Sequence, residues 1–500
     1  DEVGKDFPTF YDLYKGRHWK NQGVSDIYNA DYKPVTNYTF SLIRTSVALL
    51  TDSNPRLTAL PTDRSDVIAA DLIRKIIWMV WDKARCKEKL VKVLLDAHIF
   101  GSGFWKVGWD GKEITIDVIP PEYFYVSPDA TSVYDAAYVF QKVPMSLCQI
   151  RRKYHNYKGD LKADESLTNS DVLKRYASSA PSGNSGINAF KDTTGAMTTV
   201  YPADDKNELI EGLGVAWVVE WMEYDHDAKD YLITILVGDT IVDEFYANAI
   251  FGAKGVMPYV QQQNYMESNY FWGMSEVALL APLQRDLDRL KDIVYTHIRK
   301  SVNTPWINDA NSGVDVDKVT DDESIIITKN PGTEFRRDAP PPLPNDIFRA
   351  IADIKVEMDT ISGIHDVTQG RRPVGITAGV AISELQEAGQ VPVRFKGRIM
   401  QEFLNQVGKI ILLIVQKKYT KAKLLPIVRD MNPAVKNFDP DRIQGEADIY
   451  FDVESGLRQS RAAKFNEALQ LSTLKLIDNR AVLEATDYPE REEIMKRMGI

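Results

Sequence analysis

The sequence has little cysteine and no surplus of positive charge, and both shortages limit the class of protein. Its two cysteines, Cys86 and Cys148, are too few for a disulfide framework and do not form a CxxC pair. Its 61 Lys and Arg residues are outnumbered by 71 Asp and Glu residues, which gives a formal net charge of −10. A protein that coats nucleic acid by neutralising phosphates is expected to be basic. The composition therefore argues against that role, but not against a protein that surrounds DNA without gripping it.

Long hydrophobic runs are also missing. The longest, Ile410–Val415, is far too short to span a bilayer. Residues 1–20 are polar and aromatic with no apolar core, so no signal peptide is expected there. With 44% hydrophobic and 26% charged residues, the chain has an ordinary globular composition. We therefore expect a soluble, folded protein with no membrane partner.

The common catalytic and cofactor motifs are absent. No two of the six histidines have the i, i+3 or i, i+4 spacing that places two imidazoles on one helix face, and HExxH does not occur. No GxxxxGK[ST] motif is present to cradle a nucleotide phosphate. Gly101-Ser102-Gly103 lacks the outer glycines of a nucleophile elbow and is better explained as a turn. We expect no enzyme activity, no cofactor and no metal. The histidines are His18, His98, His155, His226, His297 and His365.

One acidic cluster is the only candidate for metal chemistry. Its members lie close together in a turn-rich segment, and two-metal nucleases use carboxylates in this way. A solvated acidic surface or a partner-docking patch is favoured, because no basic residue is placed as in a nuclease core. The cluster consists of Asp315, Asp317, Asp321, Asp322 and Glu323.

Periodicity in the first half of the chain predicts helices followed by antiparallel strands. The turn Asp110-Gly111 separates two alternating runs, as in a β-hairpin. Residues 171–212 have the composition of a linker and predict a mobile surface insertion. The predicted elements are helices at about 39–50, 66–101 (with a break) and 145–154, a hairpin at 103–126, and a meander of strands at 216–224, 231–237 and 240–246.

Two helices with matching apolar stripes flank a compact segment in the second half. Both stripes alternate three- and four-residue spacing, which marks one packed helix face. The helices are predicted at 273–300 and 345–362, and together they form a long hairpin with the intervening residues at its tip. The predicted packing residues are Leu280, Leu283, Leu287 and Leu290 on the first helix and Ile347, Ile351, Ile354 and Met358 on the second.

A glycine-punctuated loop follows the hairpin and precedes a long helix. The helix is predicted over 378–419 with a kink at Pro392, and a strand is predicted at 448–453. The loop has one basic spot between glycines, with Gly370, Arg371, Arg372, Gly375 and Thr377 as its candidate functional residues. An ordinary exposed loop is the alternative interpretation.

Four motifs, in order along the chain, resemble the portal proteins of tailed bacteriophages, most of all those of the short-tailed phages. Each motif is weak alone, but their order and spacing are fairly specific, and together they cover most of residues 34–480. The motifs are Asp96–Val107, Pro120–Ala130, Phe271–Glu276 with Pro282-Leu283-Gln284, and Gly375–Ile382.

The resemblance implies an α+β portal-type fold, with a mixed helical and antiparallel-sheet wing, a two-helix stem, a small α/β clip and a helical crown, assembled as a ring. The tunnel loop would face DNA, and the acidic clip residues would dock partners. The implied divisions are a wing over 1–272, stem helices at 273–300 and 345–363, a clip over 301–344, a tunnel loop over 364–377, a kinked wing helix with return strands over 378–458, and a crown over 459–500.

The resemblance also implies a function and a set of partners. The chain would form a homo-oligomeric ring of about twelve subunits at one capsid vertex of the virion. Double-stranded DNA would pass through the ring without sequence-specific contacts during packaging and ejection. The implied partners are the large terminase packaging ATPase, the tail adaptor, the major capsid protein and the scaffolding protein, with assembly in the host cytoplasm.

Two other classes of function remain open on the sequence alone. A metal-dependent nuclease would use the acidic cluster, and its Mg²⁺-dependent cutting would be lost in Asp317→Ala. Another oligomeric scaffold, capsid-associated or membrane-remodelling, would use the helical hairpin as a coiled coil and would form filaments or open assemblies.

Overall fold

The computed structural model describes residues 2–19, 33–52, 56–61, 67–164, 190–191, 197–198, 215–302, 306–308, 335–337, 342–365, 389, 391–419, 447–452, 468, 472–474 and 482. The chain divides into two compact units, Asp1–Ser46 with Glu276–Pro392, and Val47–Ser275 with Val393–Ile500. The described residues form helices and antiparallel sheets, which confirms the predicted α+β class. The division into wing, stem, clip and crown stays a prediction.

The elements follow one another as helices, a sheet region, and helices again. The helices are α1 (Glu2–Tyr14), α2 (Tyr38–Thr51), α3 (Val67–Lys83), α4 (Cys86–Phe100), α5 (Leu147–Lys153), α6 (Asn248–Phe251), α7 (Glu276–Val302), α8 (Asp346–Ser362) and α9 (Val391–Lys418). The strands are β1 (Arg56–Pro61), β2 (Ser102–Trp109), β3 (Ile114–Ile119), β4 (Phe124–Val126), β5 (Tyr138–Ser146), β6 (Phe190–Lys191), β7 (Met197–Thr198), β8 (Val215–Asp225), β9 (Asp230–Val237), β10 (Thr240–Tyr246), β11 (Tyr259–Gln263), β12 (Trp306–Asn308), β13 (Phe335–Arg337) and β14 (Ala447–Asp452).

Two antiparallel sheets dominate the larger unit. One has the strand order β10-β9-β8-β5-β4, and the other has the order β11-β2-β3. The strands alternate between buried and partly exposed side chains, as expected when one face of a sheet packs against the core. On β9, Tyr231, Ile233 and Ile235 are buried while the intervening residues are partly exposed. The predicted hairpin and the meander of three strands are confirmed.

Strand β5 lies between β8 and the edge strand β4 in the five-stranded sheet and is not evident from the sequence. It pairs with β8 over its whole length, from Tyr138–Glu223 to Ser146–Val215. Pro144, which has no N–H to donate, usually marks an edge strand. Here β4 pairs with β5 only as far as Gln141, so Pro144 lies where β5 has a neighbour on one side only. The predicted short helix begins later than expected, at Leu147, because Met145 and Ser146 continue the strand.

The smaller unit contains the helical hairpin. Helices α7 and α8 lie where the apolar stripes predict them and contact each other. Between them, β12 and β13 form a short antiparallel pair, with Trp306 opposite Arg337. In the segment at the predicted tip of the hairpin, β12 and β13 are the regular elements that the structure describes.

Helix α9 corresponds to the second part of the predicted long helix. It begins at Val391, so Pro392 lies in its first turn, where a missing backbone N–H breaks no intrahelical hydrogen bond. The predicted helical residues 378–388, which precede the predicted kink at Pro392, lie outside the described residues, so the kink stays a prediction. The predicted strand at 448–453 is confirmed as β14, which pairs with β1. The predicted insertion at 171–212 lies outside the described residues except for β6 and β7.

Candidate functional site

The helical hairpin is held by one aliphatic cluster. Leu280, Leu287 and Met358 are fully buried in it, together with Leu42 of α2 and Ile364 after α8. Of the other predicted packing residues, Leu283, Ile351 and Ile354 are partly buried against this cluster. Leu290 and Ile347 are also partly buried. The two stripes therefore meet each other, as apolar stripes on paired helices do.

The C-terminal end of α8 is shaped by a glycine. Gly363 has φ 67°, a left-handed conformation that glycine adopts without steric cost. The N–H of Ile364 donates to the carbonyl of Asp359 at 3.1 Å, which closes the last turn and directs Ile364 into the core. A Cβ at position 363 would stand 2.6 Å from Cβ of Pro392, so the close approach of the chain also requires glycine.

A buried glutamine fastens the N-terminal segment to the hairpin. Gln284 on α7 is fully buried, and its Oε1 accepts hydrogen bonds from the backbone N–H groups of Tyr38 and Thr39, both at 3.0 Å. Its Nε2 donates to the carbonyl of Thr36 at 2.8 Å. Tyr38 then reaches the second helix, donating its hydroxyl to Asp359 Oδ1 at 2.8 Å. The side chain of Gln284 thus replaces the hydrogen bonds that the start of α2 would otherwise make with water.

Asp288, one turn further along α7, is the second fastening point. Its carboxylate contacts Nδ1 of His18 and accepts from the N–H of Thr36 at 3.1 Å, and both the His18 and Asp288 side chains are only 2% exposed. Nε2 of His18 contacts the carbonyl of Leu13 at 2.9 Å. The roles of Gln284 and Asp288 were not predicted from the sequence. The available signal was the i, i+4 spacing of Gln284 and Asp288 beside the apolar stripe.

Parts of two motifs that carry the portal resemblance lie together in the larger unit, namely residues 96–107 and residues 271–275. Gly101 ends α4 with φ 96°, and Gly273 has φ 68°. A Cβ on Gly101 would stand 2.7 Å from the carbonyl oxygen of Gly273, so the two backbones approach closely. Ser102 donates its hydroxyl to the carbonyl of Trp272, and Ser275 donates to that of Ile99 at 2.6 Å. Gly101 alone lies between α4 and β2, because Ser102 and Gly103 already belong to the strand, so the turn predicted at residues 101–103 is limited to one residue. The hydroxyl of Ser102 has a structural partner.

A buried charge pair links the two sheets of the larger unit. Lys106 on β2 donates to Glu220 on β8, and Gln141 on β5 donates to the other carboxylate oxygen at 3.1 Å. Burial raises the pKa of Glu220, but the ammonium groups of Lys106 and Lys153 and the two hydrogen bonds outweigh it and hold that pKa below the ordinary value. Glu220 is therefore ionised inside the protein. Neither residue of this pair stood out in the sequence.

The histidine and cysteine side chains of α4 are packed into the interior. His98 is fully buried and its Nδ1 donates to the carbonyl of Leu94 at 2.7 Å. Burial, helped by the charge of Lys396, lowers its pKa well below the ordinary value, so the ring is neutral. Burial raises the pKa of the Cys86 thiol to about 12, which makes it a poor nucleophile at neutral pH.

The predicted DNA-facing and partner-docking residues lie outside the described residues. They are Gly370, Arg371, Arg372, Gly375 and Thr377 of the loop, and Asp315, Asp317, Asp321, Asp322 and Glu323 of the acidic cluster. Within the described ranges, no group of three or more His, Cys, Asp and Glu side chains is arranged to hold a metal ion. Over the same part of the chain, no helix combines the length and apolarity needed to cross a membrane.

The described residues form an α+β fold whose smaller unit is a helical hairpin with the N-terminal segment bound to it. Residues 7–499 match the model of the Phage P22-like portal protein family, and the chain belongs to this family. The resemblance to the portal proteins of short-tailed phages is confirmed. Portal proteins are structural, non-enzymatic components of the phage virion, located at a capsid vertex and needed for genome packaging. No curated protein matches the chain.

Proposed function

We propose that this chain assembles into a closed ring of about twelve copies and that the ring conducts double-stranded DNA into and out of the capsid. The ring would also dock the large terminase ATPase during packaging and the tail adaptor afterwards. Family membership supports the portal role. The number of subunits, the channel and the named partners are the proposal.

The observation that carries the proposal is an apolar surface on the hairpin. Phe348 is 52% exposed and Val356 is 63% exposed, and they lie two turns apart on the face of α8 that points away from the shared core. Helix α7 adds Ile293 and Ile298, which are 50% and 48% exposed. Several exposed apolar side chains on one element mark a candidate interaction site, and in a ring the neighbouring copy would supply the partner.

The charge of the protein is suited to a channel for DNA. A ring of about twelve copies, each with a net charge of −10, would carry on the order of −120 formal charges. An acidic wall repels phosphates, so DNA slides without being held. In the loop at 364–377, Arg371 and Arg372 would make transient phosphate contacts. The acidic cluster at 315–323 would offer the docking surface for the ATPase and the adaptor.

Replacing the exposed apolar residues tests the ring proposal. The variant F348D/V356D places charges on the exposed face while leaving the buried cluster untouched, so the subunit is expected to fold but not to form rings. The matched control, I241D/M266D, makes the same change at exposed apolar positions in the larger unit, where Ile241 is 54% and Met266 is 62% exposed. Light scattering and negative-stain microscopy measure the assembly. Normal ring assembly by F348D/V356D would show that this face of the hairpin is not part of the subunit interface.

A further inference from the structure

The end of α5 and the turn after it concentrate positive charge in an acidic protein. Residues 147–164 contain five Lys or Arg residues and two Asp residues. Arg151, Arg152, Lys158 and Lys162 are exposed, and none of these four forms an ion pair with a described residue. We call them the α5 basic patch. Lys153 is left out of it because its ammonium group interacts with the buried carboxylate of Glu220.

Buried anchors on either side hold the patch in place. Ser146 and Gln149 form a capping box that fixes the start of α5, and Ile150 is fully buried beneath the helix. The N–H of Tyr157 donates to the carbonyl of Tyr154 at 3.1 Å, which turns the chain after the helix. Leu161 is 9% exposed and returns the chain to the interior. The basic side chains therefore project from an ordered turn.

The composition of this surface favours a nucleic acid over a protein as its partner. The centre of a protein–protein interface is rich in aromatic and apolar side chains. None of the large hydrophobic side chains that are well exposed in the described residues lies between positions 147 and 164. Protein–DNA interfaces are instead polar and strongly positive. Arginine side chains also match phosphate geometry, because the guanidinium group binds two oxygens at once.

The same surface favours a duplex over a single strand. Single-stranded nucleic acids stack their bases on open aromatic rings. The tyrosines within the patch are not open in this way, because Lys153 lies over the ring of Tyr154 at 5.5 Å and Tyr157 is only partly exposed. Lys158 lies six positions after Arg152, so their backbone separation is at most about 20 Å. The patch can therefore follow at most about six base-pair steps of a duplex at ~3.4 Å each.

We propose that the α5 basic patch binds the phosphate backbone of double-stranded DNA without reading its sequence. Acidic groups near the helix limit the affinity. Asp160 lies within the turn, and Asp117 and Asp243 lie within electrostatic reach of Lys153 and Tyr154. Binding is therefore expected to be weak and strongly dependent on salt. This contact is separate from the channel proposal, since the patch belongs to the larger unit and the predicted DNA-facing loop does not.

Fluorescence anisotropy with a labelled duplex and the intact, purified protein tests the proposal. The variant R151E/R152E is expected to weaken binding by about tenfold or more at low salt, and to reduce the slope of log affinity against log salt by about two, one for each lost phosphate contact. The control K87E/K409E makes the same charge change at exposed positions of α4 and α9 in the same unit, and is expected to bind like the wild type.

Several results would overturn the proposal. They are no binding by the wild type, unchanged binding by R151E/R152E, and an equal loss in R151E/R152E and K87E/K409E. If R151E/R152E loses the wild type's binding to a polyglutamate peptide but keeps its binding to DNA, the partner of the patch is an acidic protein instead. If R151E/R152E fails to fold, K158Q/K162Q provides the same test by a milder change. Negative-stain microscopy of each variant measures ring assembly independently of DNA binding. A negative result for the patch would therefore not affect the ring proposal.

Discussion

At the scale of single residues, the chain places charged and polar groups in its interior where they join separate elements. In the larger unit, Lys106 and Glu220 connect β2 of one sheet to β8 of the other. In the smaller unit, Gln284 and Asp288 connect the N-terminal segment to α7. A buried charge that has lost its partner is costly, so each of these joints depends on both of its members.

Glu220 gives the first prediction. Its pKa is below the ordinary value of 4.5, so its stabilising contribution is fully present above that value and is lost as the pH falls through the lower pKa of the folded state. E220Q leaves Lys106 buried without a counter-charge and is expected to reduce the free energy of unfolding at neutral pH by about 3–5 kcal/mol.

Thermal unfolding measured from neutral pH to about pH 3 checks this prediction. The wild type is expected to lose stability on acidification more steeply than E220Q, and the two curves should converge at low pH. E223Q on the same strand is the control, because Glu223 is exposed. Parallel curves for the wild type and E220Q would mean that the pair contributes no pH dependence.

At the scale of elements, the helical hairpin was predictable because its apolar residues repeat with a helical period over several turns. Strand β5 was not, because Gln141, Lys142 and Pro144 interrupt its alternation. These residues are accommodated by tertiary context, with Gln141 bound to Glu220 and Pro144 beyond the end of β4. Periodicity likewise indicates which face of α7 is apolar, but not that Gln284 and Asp288 are covered by a segment some 250 residues earlier in the sequence.

The buried cluster of the hairpin gives the second prediction. L287A removes a fully buried side chain from between α7 and α8 and is expected to cost about 2–5 kcal/mol of stability. L290A makes the same chemical change one turn away at a partly buried position, and its cost is expected to be clearly smaller. Denaturant unfolding of the two variants provides the comparison. Equal losses would show that the cluster is not the centre of the hairpin core.

At the scale of the whole molecule, the proposed ring has to let DNA slide through its channel without binding it tightly. We propose that the net charge of −10, multiplied around the ring, serves this purpose, and that basic side chains at a few positions make contacts that are easily broken. Arg371 and Arg372 in the predicted tunnel loop and the α5 basic patch are the two proposed positions. They are expected to act at different stages, since only the loop is proposed to line the channel.

The loop arginines give the third prediction. R371A/R372A is expected to leave the rings intact, because neither residue belongs to the hairpin, but to impair packaging or retention of DNA. Packaging assays and the length of the encapsidated genome measure the effect. Full-length packaging by this variant would exclude a DNA-contact role for the two arginines.

The mass and shape of the purified wild-type protein test the central claim most directly. Light scattering coupled to negative-stain microscopy should find closed rings with a central channel, at about twelve times the chain mass of 56.6 kDa. Open filaments at concentrations where the protein assembles would contradict a closed portal ring and would favour a different virion scaffold.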